Sequence, residues 1–480
     1  MEGSSKKHST IVALLLAGTF IAILNQTLMI TAIPPIMDEM NVTANSAQWL
    51  TTVFMLVNGI MIPISAFLLE RFTTRQLFIS AMSIFAAGTL VGGIAPNFEM
   101  LLVGRVIQSC GAGIMLPLMT TVFLMIFPVN KRGAAMGLVG LVISFAPAIG
   151  PALSGWVTLH FSWRVLFFII LPIALIDILV AFFTLKNVTE VSKPKVDVVS
   201  IFLSSLGFGG LLYGFTSAGN YGWSYPATLV TLGLGSVSLV LFISRQLRLK
   251  HPMLEFGVFK FSIFPFAMII GMIGFMGLIG AETIIPLFMQ HMRGFSAFEA
   301  GLALLPGALI SGLMAPIIGR VFDKIGARWL VIIGITIMTA SSFAFTNLGP
   351  STTMTYITVL YGIRMFGLSM VMMPVSTAAL NQLPKRLIPH GAAMDNTMKM
   401  IAASVGTAIL VTVMTTTAET AKQRPEISYP DMYGANVAFL VVSILSLLGL
   451  ILSFFIKNDP QSEGEMEGKR RRKIRIKMQE

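Results

Sequence analysis

Six ionisable residues stand inside long apolar runs of this sequence: Arg105, Asp177, Glu282, Arg364, Asp395 and Lys399. Charge in an apolar setting is costly, so each asks for a partner or a function. An acid there can take up a proton and trade it for a cation or a polar drug. An arginine there can hold an acid ionised or orient a polar group with its planar fork of donors. Glu282 is the foremost acid. Met268, Met272, Phe275 and Ile279 precede it at three-and-four spacing, so it tops a soft apolar stripe on one helix face. Its alternative is a structural acid paired to a neighbouring helix. Arg105 has two readings, a group that holds a nearby acid ionised or orients a polar one, and a snorkelling or helix-pairing arginine. Asp395 and Lys399 are four apart and face one another, so a structural pair comes first and a coupling site second. Asp177, in Leu175-Ile-Asp177-Ile-Leu179, stays open between the two.

Composition decides what must position these residues. Apolar residues make up 55% of the 480 and charged residues 11%. A soluble domain needs about 25% charged residues to cover its surface, so most of this surface meets lipid. Fourteen apolar stretches are long enough to cross a bilayer: 11–36, 46–69, 76–95, 100–126, 133–158, 164–185, 198–217, 227–247, 261–290, 297–319, 328–347, 353–380, 391–416 and 435–456. The period-two alternation of a membrane barrel is absent, so the spans are helices. An even number puts both ends of the chain on one side. Of the 33 Lys and Arg, 26 fall on that side, 4 on the other, and Arg105, Arg364 and Lys399 lie within spans. That bias predicts cytoplasmic termini. The first run is too long for the core of a signal peptide and is read as the first helix. The net charge of +12 is therefore a topology signal, and no nucleic-acid partner is expected. The basic run from Lys469 to Lys477 is a solvated anchor first, a contact for anionic lipid second.

An internal repeat organises the spans. Ala66-Phe-Leu-Leu-Glu70-Arg71-Phe-Thr73-Thr-Arg75 matches Gly319-Arg-Val-Phe-Asp323-Lys324-Ile-Gly326-Ala-Arg328, the acids 253 residues apart. Pro34 and Pro286 repeat at an offset of 252, Arg105 and Arg364 at 259. Two homologous six-helix halves follow, 11–190 and 261–456. Two inserted helices occupy 191–260, with a short leader 1–10 and a basic tail 457–480. Parallel halves around a central site are the architecture of a rocking carrier. The repeated segments, Glu70/Arg71/Arg75 and Asp323/Lys324/Arg328, read as latches in which an acid faces bases across a short loop. A static loop obeying the positive-inside rule would need no acid. Gly140, Pro147, Gly150, Pro151 and Gly155 in the fifth span allow close approach and bending, the properties of a hinge.

At these residues the chain resembles the major facilitator superfamily. Gly319, Asp323, Lys324, Gly326 and Arg328 are similar to its loop signature, from which the first copy departs with Ala66, Glu70 and Thr73. Leu101-Leu-Val-Gly-Arg105-Val-Ile-Gln108 resembles the family's fourth-helix arginine motif, and the fifth-span glycines and prolines its antiporter motif. Fourteen spans resemble the drug:proton antiporter branch. Leu24-Asn25-Gln26-Thr27-Leu28, Ser162-Trp163-Arg164 and Asn396-Thr397 are similar to lincomycin-resistance pumps of Gram-positive bacteria. The resemblance implies a cavity lined by the first helix of each half, with Asn25, Gln26, Met272, Phe275 and Arg364 facing it. It also implies a proton-transfer role for Arg105 and a peripheral sixth helix. Many fourteen-helix pumps carry an aspartate where this chain has Asn25, which cannot titrate, so coupling shifts to Glu282, with Arg105, Asp177 and Asp395 as further candidates.

No phosphate-cradling GxxxxGK[ST] loop is present, and no metal-binding HExxH or CxxC. The expectation is an all-α integral membrane protein of the bacterial plasma membrane, not an enzyme. It exports amphipathic antibiotics and lipophilic cations against entering protons, with no cofactor beyond the proton gradient. Its partners are drugs, protons and the bilayer, and a monomer is expected. A carrier of a native lipid or metabolite is the alternative, and a non-transporting sensor the more distant one.

Overall fold

A computed structural model describes residues 2–188, 191–192 and 194–456; the basic run from Lys469 to Lys477 lies outside the described residues. Fourteen helices are long and apolar enough to cross a membrane. They are α1 (Glu2–Met40), α2 (Ala44–Arg71), α3 (Thr74–Gly93), α4 (Phe98–Ile126), α5 (Arg132–His160), α6 (Arg164–Thr184) and α7 (Val198–Tyr221), then α8 (Pro226–Gln246), α9 (Ile263–Leu287), α10 (Ala297–Ile325), α11 (Ala327–Ala344), α12 (Met354–Asn381), α13 (Ile388–Lys422) and α14 (Pro430–Ser453). Every regular element among the described residues is helical.

Local chemistry sets where several helices begin. Thr73 and Ser296 open α3 and α10 with reciprocal capping boxes to Gln76 and Glu299. Asn97, Asp197 and Thr353 cap α4, α7 and α12 through their side chains. Gly326, at φ 78°, makes the turn between α10 and α11 that an L side chain would resist. The fourteen expected spans all lie on helices. Two run well beyond expectation: α1 has 39 residues and α13 has 35. At 1.5 Å per residue both exceed the roughly 30 Å bilayer core, because polar helix-forming turns continue the apolar run.

Within the first six helices, α4 packs on α2 and α3, α5 on α1, and α6 on α3. Within the last six, α9 packs on α12 and α13, α11 on α12, and α14 on α13 and α11. The two groups meet along two seams, α5 against α10 and α2 against α13. The inserted hairpin α7–α8 lies against the second seam, with α7 touching both α2 and α13.

Candidate functional site

Arg105 is fully buried in α4, held by three helices. Its Nε donates to the Leu50 carbonyl at 3.1 Å. Its Nη1 donates to Asn25 Oδ1 at 2.5 Å and to Gln108 Oε1 at 3.1 Å. The guanidinium lies 4.1 Å from the centre of the Phe54 ring, and Gln108 passes the network on to Thr89 at 2.8 Å. All of these partners are neutral, and Nη2 has none. Asn25 is thus buried against Arg105 of the neighbouring helix, the oxygen of its amide an acceptor for this arginine. Gln26, on the next residue, is half-buried.

The repeat-related Arg364 on α12 is also buried. Its Nη1 donates to Ser342 Oγ and, at 3.4 Å, to the Met338 carbonyl, both on α11. Arg364 therefore points into its own half, away from the expected cavity position. Its Nη2 has no partner and rests where a Cβ on Gly277 of α9 would stand. One turn earlier on α12, the Tyr361 hydroxyl donates to Glu282 Oε1 of α9 at 3.5 Å. Glu282 itself is exposed, and Met268, Met272, Phe275 and Ile279 below it are each half-buried. The opposite face of α9 carries Gly271, Gly274, Gly277 and Gly280, all buried. The stripe is no more exposed than Ile273, Met276 and Leu278 beside it; what marks it is the exposed carboxylate at its top.

Asp177, left open by the sequence, lies on the inner face of α6 and is 5% exposed. Leu175, Ile176, Leu179 and Val180 take the outward positions of α6. Asp177 points at α1, where the absent side chain of Gly18 leaves room for it between Met115 of α4 and Met82 of α3. Its Oδ2 is buried without a hydrogen-bond partner. Asp395 and Lys399 form the structural pair: Lys399 Nζ is 2.7 Å from Asp395 Oδ2 and 2.5 Å from Ser376 Oγ, which donates to Asp395 at 2.9 Å. That closed triangle ties α12 to α13.

The repeated loops do something other than pair acid with base across the loop. Asp323 reaches into the other half and accepts the Gly133 and Ala134 N–H groups of α5 at 2.7 and 2.8 Å. A carboxylate there meets free N–H donors and the positive end of the helix dipole. The fit depends on Gly133 and Gly319, because a Cβ on either would collide with the other's backbone oxygen. Beside them Arg132 Nη1 donates to Asn381 Oδ1 of α12 at 3.1 Å. Glu70 likewise crosses between halves, 2.9 Å from His390 Nε2 on α13. The other nitrogen of that ring, Nδ1, accepts the Glu255 N–H at 3.3 Å, so Nε2 carries the proton and donates to Glu70. The bases of the first loop reach main-chain oxygens instead: Arg71 donates to the Pro194 carbonyl, in the segment leading to α7, at 2.8 Å and Arg75 to the Phe182 carbonyl at 2.5 Å. Lys324 and Arg328 are exposed.

In α5, Gly137 and Gly140 continue the contact with α10 at Ala315, and Gly150, flanked by Pro147 and Pro151, receives Thr27 of α1. Further along, the halves part. Nothing lies within 4 Å of a Cβ built on Gly155 of α5 or on Gly301 of α10. Gly133, His390 and Glu39 were missed in the sequence. Glu39 takes Arg164 and the Trp163 indole N–H, the latter at 2.8 Å, joining the ends of α1 and α6. Only the Trp163-Arg164 pair itself pointed there.

Residues 15–407 match the family model of the Major Facilitator Superfamily. The chain belongs to that superfamily. It is a multi-pass membrane transporter and not an enzyme. Among its relatives is an uncharacterized MFS-type transporter of Bacillus subtilis, YcnB, 55% identical over 97% of this chain and 98% of that one. The lincomycin resistance protein LmrB of the same organism is 42% identical over 93% of this chain and 95% of its own length. Among solved structures, the human organic anion transporter MFSD10 has a TM-score of 0.68 at 14% identity, covering 93% of this chain and 99% of that one. At that identity the likeness is one of fold. The superfamily frame makes the two closed seams the contacts between the halves of a transporter.

Proposed function

We propose that this transporter exports amphipathic drugs, antibiotics and lipophilic cations among them, in exchange for entering protons, by alternating access between its halves. The observation that carries the reading is the seating of Asp323 on the first turn of α5, a bond between halves made by one side chain that can let go. Glu70 and His390 repeat it on the other seam. The positive-inside bias makes this closed end cytoplasmic and puts both chain ends there, in a bacterial plasma membrane. The conformation is then the one open to the outside. Similarity to a lincomycin resistance protein over nearly the whole chain supports drugs as cargo.

Glu282 is the coupling acid of this reading: accessible, at the top of a Met and Phe stripe, with a long phenol contact and, among the described residues, no ion pair. Asp177, buried and unpartnered, is the second acid that a proton can occupy. Asp395 is neutralised by Lys399 and holds the fold. Energy comes from the proton gradient, with no cofactor, and one chain is the working unit.

The test is lincomycin- and ethidium-driven proton movement in sealed proteoliposomes, for the parent and for Glu282→Gln and Asp177→Asn. Loss of proton release in Glu282→Gln while drug still binds is the expected result. Equal release in that variant and loss in Asp177→Asn moves coupling to α6. Proton silence of the parent with both drugs ends the antiporter reading in favour of a carrier of native lipid or metabolite.

A further inference from the structure

The inserted hairpin is built as a cover over one seam only. Its helices lock together through a Ser217–Thr228 hydroxyl bond of 2.7 Å, the Arg245–Asp197 ion pair of 2.9 Å, and Gln246 Nε2 on Ser200 at 2.6 Å. It therefore moves as one body. The outer positions of α8, among them Leu229, Val230, Leu234, Val237 and Val240, are apolar and exposed, as a lipid-facing surface is. Its inner helix α7 lies where α2 of one half meets α13 of the other. Any rocking of the halves shifts α2 against α13, so a body touching both must yield on one side.

The two contacts differ in kind. Against α2 the packing interlocks. Leu212 fills the notch over Gly59, Ile60 and Leu56 fill the one over Gly209, and Trp49 stacks on Tyr213 with ring centres 5.7 Å apart. The strand of chain leading into α7 is tied to the same helix, Ser192 N–H to the Glu70 carbonyl at 3.0 Å and Arg71 to the Pro194 carbonyl. Against α13 a small residue makes the approach: Gly219 faces the backbone of Ala408, with a Cβ there 4.0 Å from Ala408 Cβ, and Trp223, just past α7, donates from Nε1 to Thr412 Oγ1 at 2.8 Å. Knobs in notches resist sliding, whereas small residues let backbones pass. The chain leaving α8 runs through exposed Leu247, Arg248, Lys250 and His251 before Glu255 pairs with Arg386, at 3.0 Å, at the entry to α13; Leu254 N–H to Gln246 spans that stretch.

We infer that the α7–α8 hairpin is a sliding seal, fixed to the N-terminal half through α2 and moving over α13, that keeps the α2/α13 seam closed to lipid while the halves rock. Among the described residues the α5/α10 seam has no such cover, so it is the one open to exchange of amphipathic cargo with the bilayer. The seal rests on the alternating-access reading, and its test needs no substrate.

In a Cys110→Ser background, Gly219→Cys with Ala408→Cys joins α7 to α13, the Cβ separation being within disulfide range. Gly59→Cys with Leu212→Cys joins α7 to α2. Each pair is linked with a short bifunctional methanethiosulfonate, and hydrogen–deuterium exchange is followed at residues 132–137, the turn that Asp323 caps. The reduced form of each protein is its own control for folding. The α7–α13 link is expected to slow that exchange at least tenfold, because the closed end can no longer open, and the α7–α2 link to leave it unchanged. Slowing by both links, by the α7–α2 link alone, or by neither overturns the seal. Drug-driven proton movement by the reduced proteins tests the transport reading separately.

Discussion

Asp323 on α10 binds Gly133 on α5 across the boundary between the two halves, carboxylate oxygen to backbone N–H at 2.7 Å. The bond joins a loop acid of one repeat to a helix start of the other. Its partner is the main chain, so no substitution at position 133 other than proline removes the donor. Any other can only spoil the space around it. The first copy of the motif, through Glu70, grips a side chain instead, His390. Two loops of common pattern thus close the same end by different means.

Asp323→Asn keeps the shape and removes the charge. Charge at a helix N-terminus contributes about 0.3–2 kcal/mol, so the closed state should lose roughly a twofold to thirtyfold share of its population. Faster hydrogen–deuterium exchange at residues 132–137 is the readout. Unchanged exchange in Asp323→Asn removes the acid from the latch.

Gly133→Ala addresses sterics alone. Its Cβ would press on the Gly319 carbonyl oxygen and the Asp323 carboxylate, so the closed end cannot re-form. The expected variant folds, with parental helical circular dichroism, but transports at a tenth of the parent rate or less. Transport near the parent level would show that α5 and α10 have more room to separate than their contact suggests.

Asn25→Ala leaves the buried Arg105 without its 2.5 Å acceptor. Losing a buried hydrogen bond to a charged group costs about 1.5–3 kcal/mol, and the thermal midpoint in detergent should fall by several degrees. Asn25→Asp supplies a carboxylate at the same place and should recover most of that loss. If Asn25→Ala melts with the parent, Arg105 is held by Gln108, Leu50 and Phe54 without it.

Asp197 caps α7 just outside the span, and Arg245 beside it, with Ser200, holds its carboxyl down to about 2. The ordinary value is about 3.9, so the folded state favours the ionised form. The sign follows from linkage: the contribution is whole above about pH 4 and is lost as pH falls through about 2. Melting curves from pH 6 to 2 should therefore converge for the parent and Asp197→Asn at the acid end and separate above pH 4. A constant separation across that range would rule out the charge as the cause.

Much of this architecture is legible in one dimension because lipid imposes it. A span needs roughly twenty apolar residues, and positive charge collects on one side, so the fourteen helices could be read from residue type alone. The repeat was legible for a similar reason, since Glu70 and Asp323 sit in like phrases at an offset that Pro34 and Pro286 share. Pairing within one helix was legible too. Asp395 and Lys399 are four residues apart, and the 3.6-residue turn brings them together.

Partners between helices were decided by the tertiary structure. A helix presents side chains to every direction, and nothing local says which neighbour lies there. Asp177 faces inward because Gly18, on a helix 159 residues away in sequence, leaves it room. Asn25 binds an arginine because α4 passes beside α1 at that height. The latch acids cross between halves because α5 and α13 begin opposite them, and the donors they find, two backbone N–H groups and a histidine, carry no mark in the sequence. Solvent preference is a property of each residue, and the chain alone determined it; juxtaposition is a property of the fold.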